Sequence, residues 1–290
     1  MLTKNADIIS LGELQPVTKS CGFGPCLKAL VNSPDLTEGR KGKRNMSDKA
    51  IVAENLSRRF GEILAVDQLS LTIAKGEVFG FLGPSGAGKS TTIKSIIGQV
   101  KPTSGMVTLF GVPAQETDAR QRVGYLPENP AFYDFLTARE YLHFVGQVFG
   151  MTETRRNEKT IEVLELLELV DAADRPMRGY SKGMVQRLGL AQTLLHDPDL
   201  YVLDEPMSGL DPLGRALVKD IIKELRKRGK TIFFSTHITT DVEMVCDRVG
   251  VIVGGKLQAI DRVSAILEQG ETGYRIYAVS ALSEPVEYDI

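Results

Sequence analysis

The chain has 290 residues, a formal net charge of −2 and 42% hydrophobic residues. That length buries a substantial core in one large or two small domains, and the balanced charge sets up no whole-protein field for nucleic acid. Its 3 cysteines are too few for a disulfide framework. No stretch approaches the ~20 consecutive apolar residues of a membrane span, and the N-terminus lacks the apolar core of a signal peptide. A soluble chain in a reducing compartment is expected, with any membrane role exercised through a partner.

Residues 1–48 mix Gly, Pro, Ser and Lys without sustained periodicity and end in the basic run Gly39-Arg40-Lys41-Gly42-Lys43-Arg44. Disorder or loose local structure is expected there, and Met46 stands as a candidate start. Cys21 and Cys26 frame Gly-Phe-Gly-Pro, with no second Cys/His pair to complete a zinc site. From Ala50 to Leu82, short apolar bursts broken by Gly61 and Lys75-Gly76 read as strands joined by turns.

The apolar run Val78-Phe79-Gly80-Phe81-Leu82 leads into Gly83-Pro84-Ser85-Gly86-Ala87-Gly88-Lys89-Ser90-Thr91, and a helical pattern follows. Strand, glycine-rich loop ending in Lys-Ser, then helix is the context of a phosphate-binding loop. Its glycines let successive backbone N–H groups converge on phosphates, and the helix N-terminus adds partial positive charge. Lys89 has the reach for β- and γ-phosphates, and the Ser90 hydroxyl is a ligand for Mg²⁺. A nucleoside triphosphate is the expected ligand.

Further on, strands are expected at Met106–Phe110 and Val123–Leu126, and then the pattern turns helical from Thr137 to about Leu195. Ile161, Val163, Leu164, Leu167 and Leu169 crowd one helix whose other positions carry Glu158, Glu162, Glu165 and Glu168. Leu200-Tyr201-Val202-Leu203 has the continuous apolar character of a buried parallel strand. A helix from Pro212 to about Arg228, a strand at Thr231–Ser235, a helix over Asp241–Cys246 and a strand at Val249–Val253 complete the alternation. One further helix is expected at Arg262–Glu268. The order argues for an α/β fold, a doubly wound mainly parallel sheet with a helical insertion.

Asp204 and Glu205 end the buried strand, where ligands of open α/β sheets sit. Beside a phosphate loop, Asp204 is expected to hold Mg²⁺ directly or through water. Glu205 is expected to polarise the attacking water as general base.

Tyr180-Ser181-Lys182-Gly183-Met184-Val185-Gln186-Arg187 resembles the signature sequence of ATP-binding-cassette (ABC) ATPases. Ser208-Gly209-Leu210-Asp211 is similar to the family's D-loop, and Ser235-Thr236-His237 to its switch histidine. The resemblance runs from about Ala50 to Asp261, with the motifs in the family's order. It implies a P-loop NTPase core with an N-terminal antiparallel β subdomain. It also implies a cassette over 49–262, a helical insertion at about 130–190 and a short tail, 263–290. ATP and Mg²⁺ are then the ligands, and His237 senses the γ-phosphate. Ser181, Lys182, Gly183 and Met184 would serve the ATP bound by a second subunit, in a dimer that is expected to be homomeric. Ser181 and Gly183 also suit the N-cap and first turn of a helix, and Asp211 before Pro212 suits an N-cap beside any interface role.

Phe60 occupies the place where the family stacks a ring on adenine, with core packing as its alternative. Glu128 stands where the family usually has glutamine, and a carboxylate there still offers Mg²⁺ an oxygen. With Tyr180 and Lys182, it resembles a subgroup of exporters with separately encoded membrane subunits. The implied location is peripheral, on the cytoplasmic face of the membrane, with no nucleic-acid partner. A soluble ABC ATPase acting on DNA or ribosomes calls for paired cassettes or a splitting coiled coil, and a GTP switch calls for Asn-Lys-x-Asp; neither pattern is present.

Overall fold

The structure, a computed structural model, describes residues 48–265 and the backbone of 276–278 and 286–288. The basic run, Met46 and the pair Cys21 and Cys26 lie outside the described residues.

Strands β1 (Lys49–Phe60) and β2 (Ile63–Ala74) form an antiparallel hairpin turned at Gly61. Each runs to 12 residues, longer than the bursts in the sequence suggest. The reason is local: Asn55 and Gln68 take positive φ, and the pairing register slips between Ala53 and Leu56 and again before Arg58. Such bulges interrupt the inside-outside alternation without ending the strand. Strands β4 (Ser104–Leu109) and β5 (Val112–Pro113) complete this sheet in the order β2-β1-β4-β5.

The second sheet has the order β10-β9-β3-β8-β7-β6. Strands β3 (Val78–Leu82), β6 (Val123–Leu126), β7 (Leu200–Asp204), β8 (Thr231–Thr236) and β9 (Arg248–Val253) are parallel. Every residue of β7 and β8 is buried, as strands covered on both faces require. Phe79 stacks on Phe233 with centroids 5.9 Å apart, and Phe81 meets the same ring at 5.4 Å. This is the α/β architecture expected, a mainly parallel sheet beside an antiparallel one.

One edge differs from expectation. β10 (Lys256–Arg262) runs antiparallel on β9, so Arg262 is a strand residue where a helix is expected to begin. Helix starts only at 263, and the rest of that expected element passes outside the described residues. The exposed, alternating residues of an edge strand carry little apolar signal, which hides β10 in the sequence.

Helix α1 (Lys89–Ile96) follows the phosphate loop, and α2 (Thr117–Gln121) precedes β6. The helical region comprises α3 (Ala138–Val148), α4 (Glu153–Leu166) and α5 (Lys182–Leu195). Thr137 and Glu140 form a reciprocal capping box on α3, and Thr152 caps α4. Val163, Leu164, Leu167 and Leu169 are buried, but Ile161 is half exposed and does not belong to that stripe. Helices α6 (Pro212–Lys227) and α7 (Thr239–Val245) complete the core. Because β8 lies between β3 and β7, the sequence-distant pairs Leu82–Thr236 and Asp204–Ser235 come into register at one end of the sheet.

Candidate functional site

At that end, a cavity of about 450 Å³ opens over the glycine-rich loop. Ser85, Gly86, Gly88, Lys89, Ser90 and Thr91 line it. Gly83, Pro84 and Ala87 build the loop behind this surface: the Ala87 N–H donates to the Pro84 carbonyl at 3.2 Å, and Lys89 Nζ donates to the Gly83 carbonyl at 2.7 Å. Gly88 has φ of 102°, and a Cβ there would stand 2.5 Å from the Ala65 carbonyl oxygen. Only glycine fits this close approach of loop and strand. Beside Ala65, Gly255 donates its N–H to Ala87 O at 2.9 Å, so the β9–β10 turn also holds the loop.

Glu128, Glu205, Ser208 and His237 also face the cavity. Glu205 has a φ of 49°, a left-handed conformation that a side-chain-bearing residue adopts at a cost. Several contacts hold it there. Its N–H donates to Ser235 Oγ at 2.9 Å, and Ser235 Oγ donates in turn to Asp204 Oδ1 at 2.6 Å. Gln186 Nε2 donates to the carbonyls of Glu205 and Pro206 at 3.3 and 3.1 Å. Lys89 Nζ lies 3.4 Å from Glu205 Oε1, and His237 Nδ1 lies 3.1 Å from both carboxylate oxygens. A carboxylate only accepts, so the Nδ1–H is the donor in this contact. The set comprises a carboxylate, an ammonium and an imidazole around a loop built for phosphates, the equipment for phosphoryl chemistry.

The signature segment lies elsewhere. None of Ser181, Lys182, Gly183 and Met184 lines this cavity. Ser181 caps α5, accepting the Met184 N–H, and the Lys182 stem lies against Gly209. Asp211 caps α6 by accepting the Gly214 N–H at 2.9 Å, and stands 3.8 Å from Arg187. Both capping roles read from the sequence are present. Whatever Ser181 and Gly183 serve beyond capping is not this chain's own cavity.

The ABC transporter family pattern matches residues 66–208. An uncharacterised ABC transporter ATP-binding protein of Synechocystis is 44% identical over 217 residues, 74% of this chain and 61% of that protein. The Nod factor export ATP-binding protein I of Burkholderia lata is 41% identical over 216 residues, 74% of this chain and 71% of its own length. This chain belongs to the ABC transporter ATP-binding family. Among solved structures, a dimeric ATP-binding cassette in a post-hydrolysis state bound to ADP and Pi superposes with a TM-score of 0.68 at 25% identity, covering 73% of this chain and 98% of that one. The chain spans under two thirds of the Synechocystis relative.

Two expected residues sit differently in this ABC cassette. Phe60 does not line the cavity: its ring is 46% exposed, and the Arg58 guanidinium lies 4.3 Å from its centroid. The exposure also removes the core-packing alternative. Phe60 pairs across the hairpin with Ile63, and Ile63, Leu64 and Ala65 are the β2 residues on the cavity wall. With Gly254 and Gly255 they are the part of the wall missed from sequence. Ile63 and Leu64 are exposed in the structure, but in the sequence they read as ordinary apolar strand residues and carry no signal of a site.

Asp204 is also set back. It is 1% exposed and absent from the lining, its carboxylate occupied by Ser235. Burial and the Asp204 charge together push the Tyr125 hydroxyl up to about 12. Of the three expected Mg²⁺ ligands of the cassette, Ser90 and Glu128 face the cavity directly. Among the described residues no cluster of three His, Cys, Asp or Glu side chains suits a metal alone. That donor set fits Mg²⁺, which is commonly held by one or two protein oxygens together with phosphates and water. Among the described residues, no helix is long and apolar enough to cross a membrane.

Proposed function

We propose that the chain is an ATP-hydrolysing cassette that works in a head-to-tail pair and drives export through separately encoded membrane subunits. One observation carries the proposal: Glu205 is poised between Lys89 and His237 over the phosphate loop, while Ser181-Lys182-Gly183 lies outside that cavity. A cassette whose signature cannot reach its own loop has a use for it on a partner's nucleotide. The dimeric cassette that superposes on this chain supports the same reading.

In this mechanism the loop from Gly83 to Thr91 binds the triphosphate through backbone N–H groups and Lys89. Lys89 exchanges its contact with Glu205 for the β- and γ-phosphates. Glu205, freed toward the cavity, orients the attacking water and accepts its proton. His237 keeps Glu205 aligned through Nδ1 and presents Nε2 toward the γ-phosphate. Mg²⁺, when bound, neutralises phosphate charge; Ser90 and Glu128 would hold it, with Asp204 behind through water. The γ-phosphate bridges the two cassettes, so ATP favours the closed pair and hydrolysis releases it. Asp211 lies at the pair's interface, and Phe60 borders the base at the rim.

Export rests on the resemblance carried by Tyr180, Lys182 and Glu128, together with the relative named for Nod factor export. The segment from Glu128 through α3 and α4 exposes Tyr133, Phe135, Phe144 and Val148, an apolar surface suited to a membrane partner. Such a subunit works peripherally at the cytoplasmic face, and its net charge of −2 gives no reason to invoke nucleic acid.

The test is Glu205→Gln, assayed for phosphate release, ATP binding and size by gel filtration. Retained binding, abolished turnover and an ATP-dependent dimer are expected. Turnover at the native rate would remove Glu205 as the base, and a strictly monomeric ATP complex would remove the pair.

A further inference from the structure

The geometry points to Gln186 as a positioning residue that ties the catalytic Glu205 to the signature helix of the same chain. This rests on Glu205 acting as the base.

The Glu205 peptide is held on both sides. On its N-terminal side the grip is Ser235 Oγ, from the neighbouring strand β8. On its C-terminal side the grip is Gln186, whose Nε2 donates to two successive carbonyls, Glu205 and Pro206. Gln186 is 3% exposed, so water does not replace these bonds if the carboxamide is removed. The Glu205 carbonyl also accepts the Ser208 N–H at 3.0 Å, closing a turn around the strained residue. A left-handed φ at a non-glycine persists only where its surroundings over-determine it. Of the two side chains that grip the Glu205 backbone, Ser235 comes from a strand and Gln186 from a helix.

That helix is α5, which begins with Ser181 as its cap and carries Lys182 and Gly183 in its first turn. Gln186 stands less than two turns along, on a rigid segment. A shift of α5 when Ser181 and Gly183 engage a partner's nucleotide is therefore delivered to the Glu205 peptide of the engaging chain. The consequence is a link between two sites: the signature of one subunit sets the aim of that subunit's own base. No motif records this role. In the sequence Gln186 is one position of the signature stretch Tyr180–Arg187, with no role of its own assigned to it.

The experiment compares Gln186→Leu and Gln186→Glu with the native chain, in steady-state ATP hydrolysis and equilibrium nucleotide binding. Leucine fills the space without a donor. Its kcat is expected to fall about tenfold, about 1.4 kcal/mol, while KM and the nucleotide Kd stay within about twofold. A buried glutamate donates only when protonated, and its burial raises its pKa. The kcat of Gln186→Glu relative to the native chain should therefore climb as pH falls from about 8 to about 6. A purely space-filling residue predicts native kcat in the leucine variant and a flat ratio in the glutamate variant. Native turnover in a folded Gln186→Leu overturns the role. If that variant does not fold, a flat pH ratio in Gln186→Glu overturns it instead. Glu205→Gln is run alongside: turnover there overturns the base assignment, whereas an inactive Glu205→Gln beside a fully active Gln186→Leu overturns the positioning role alone.

Discussion

His237 Nδ1 stands 3.1 Å from each carboxylate oxygen of Glu205, although 32 positions separate them in the chain. The contact exists because β7 and β8 are neighbours in the sheet and deliver their last residues side by side. His237 holds the carboxylate from the solvent side, its own side chain 57% exposed, while Lys89 holds it from within.

His237→Ala removes that outer grip without touching the phosphate loop. Turnover should fall by roughly 10²-fold, the scale of a positioned acid–base group, with ATP affinity changed little. Phosphate release and nucleotide titration on the same preparation check this. A variant within threefold of native turnover would place His237 outside the reaction.

Gly88→Ala and Gly86→Ala separate two kinds of glycine. Both positions have positive φ, 102° and 77°, so both pay for a left-handed alanine. At Gly88 the new Cβ also meets a backbone oxygen, Ala65 O, at 2.5 Å, whereas at Gly86 nothing lies within 4 Å. Backbone cannot rotate away, so Gly88→Ala should lose about 1–3 kcal/mol more stability than Gly86→Ala. It should also lose most ATP affinity, because the loop and β2 must separate. Thermal unfolding with and without ATP distinguishes the two variants.

His196 provides a pH-dependent term in stability. It caps the end of α5, stacks on Phe149 at 3.7 Å, and places Nε2 3.3 Å from the Val123 carbonyl. Burial pushes its pKa down to about 4. The unfolded chain therefore binds the proton first, and the contribution is complete above about pH 6.5 and lost as pH falls toward 4. Its size is on the order of 3 kcal/mol. His196→Gln retains a donor for Val123 without titrating. Urea unfolding of both chains between about pH 4 and 7 should show the native protein losing stability relative to the variant on acidification. A constant difference would contradict the assignment.

How much of the site was legible depends on how far apart its parts lie. The loop from Gly83 to Thr91 was readable because nine successive residues build it, with Gly83, Gly88, Lys89 and Ser90 at the positions the phosphate chemistry dictates. Asp204-Glu205 was readable for a related reason, since a buried parallel strand announces itself and its last residues face the ligand. The caps at Ser181 and Asp211 are local too, and both are present. Phe60 shows the limit. Its position beside Gly61 was clear, but Ile63, Leu64 and Ala65 line the cavity while Phe60 stays out of the lining, against Arg58.

From its sequence alone this chain is determined to have a phosphate loop, a strand ending in two carboxylates and a distant signature, since each is encoded by neighbouring residues. Only the tertiary structure decided that Asp204 is set back behind Ser235, that Glu205 is strained, and that Gln186 grips its carbonyl. These follow from the strand order β3-β8-β7, which sets Ser235 beside Asp204, and from the placement of α5, which brings Gln186 to the end of β7. Strand order and register come from pairing between residues far apart in the chain, which no local pattern of residue types encodes.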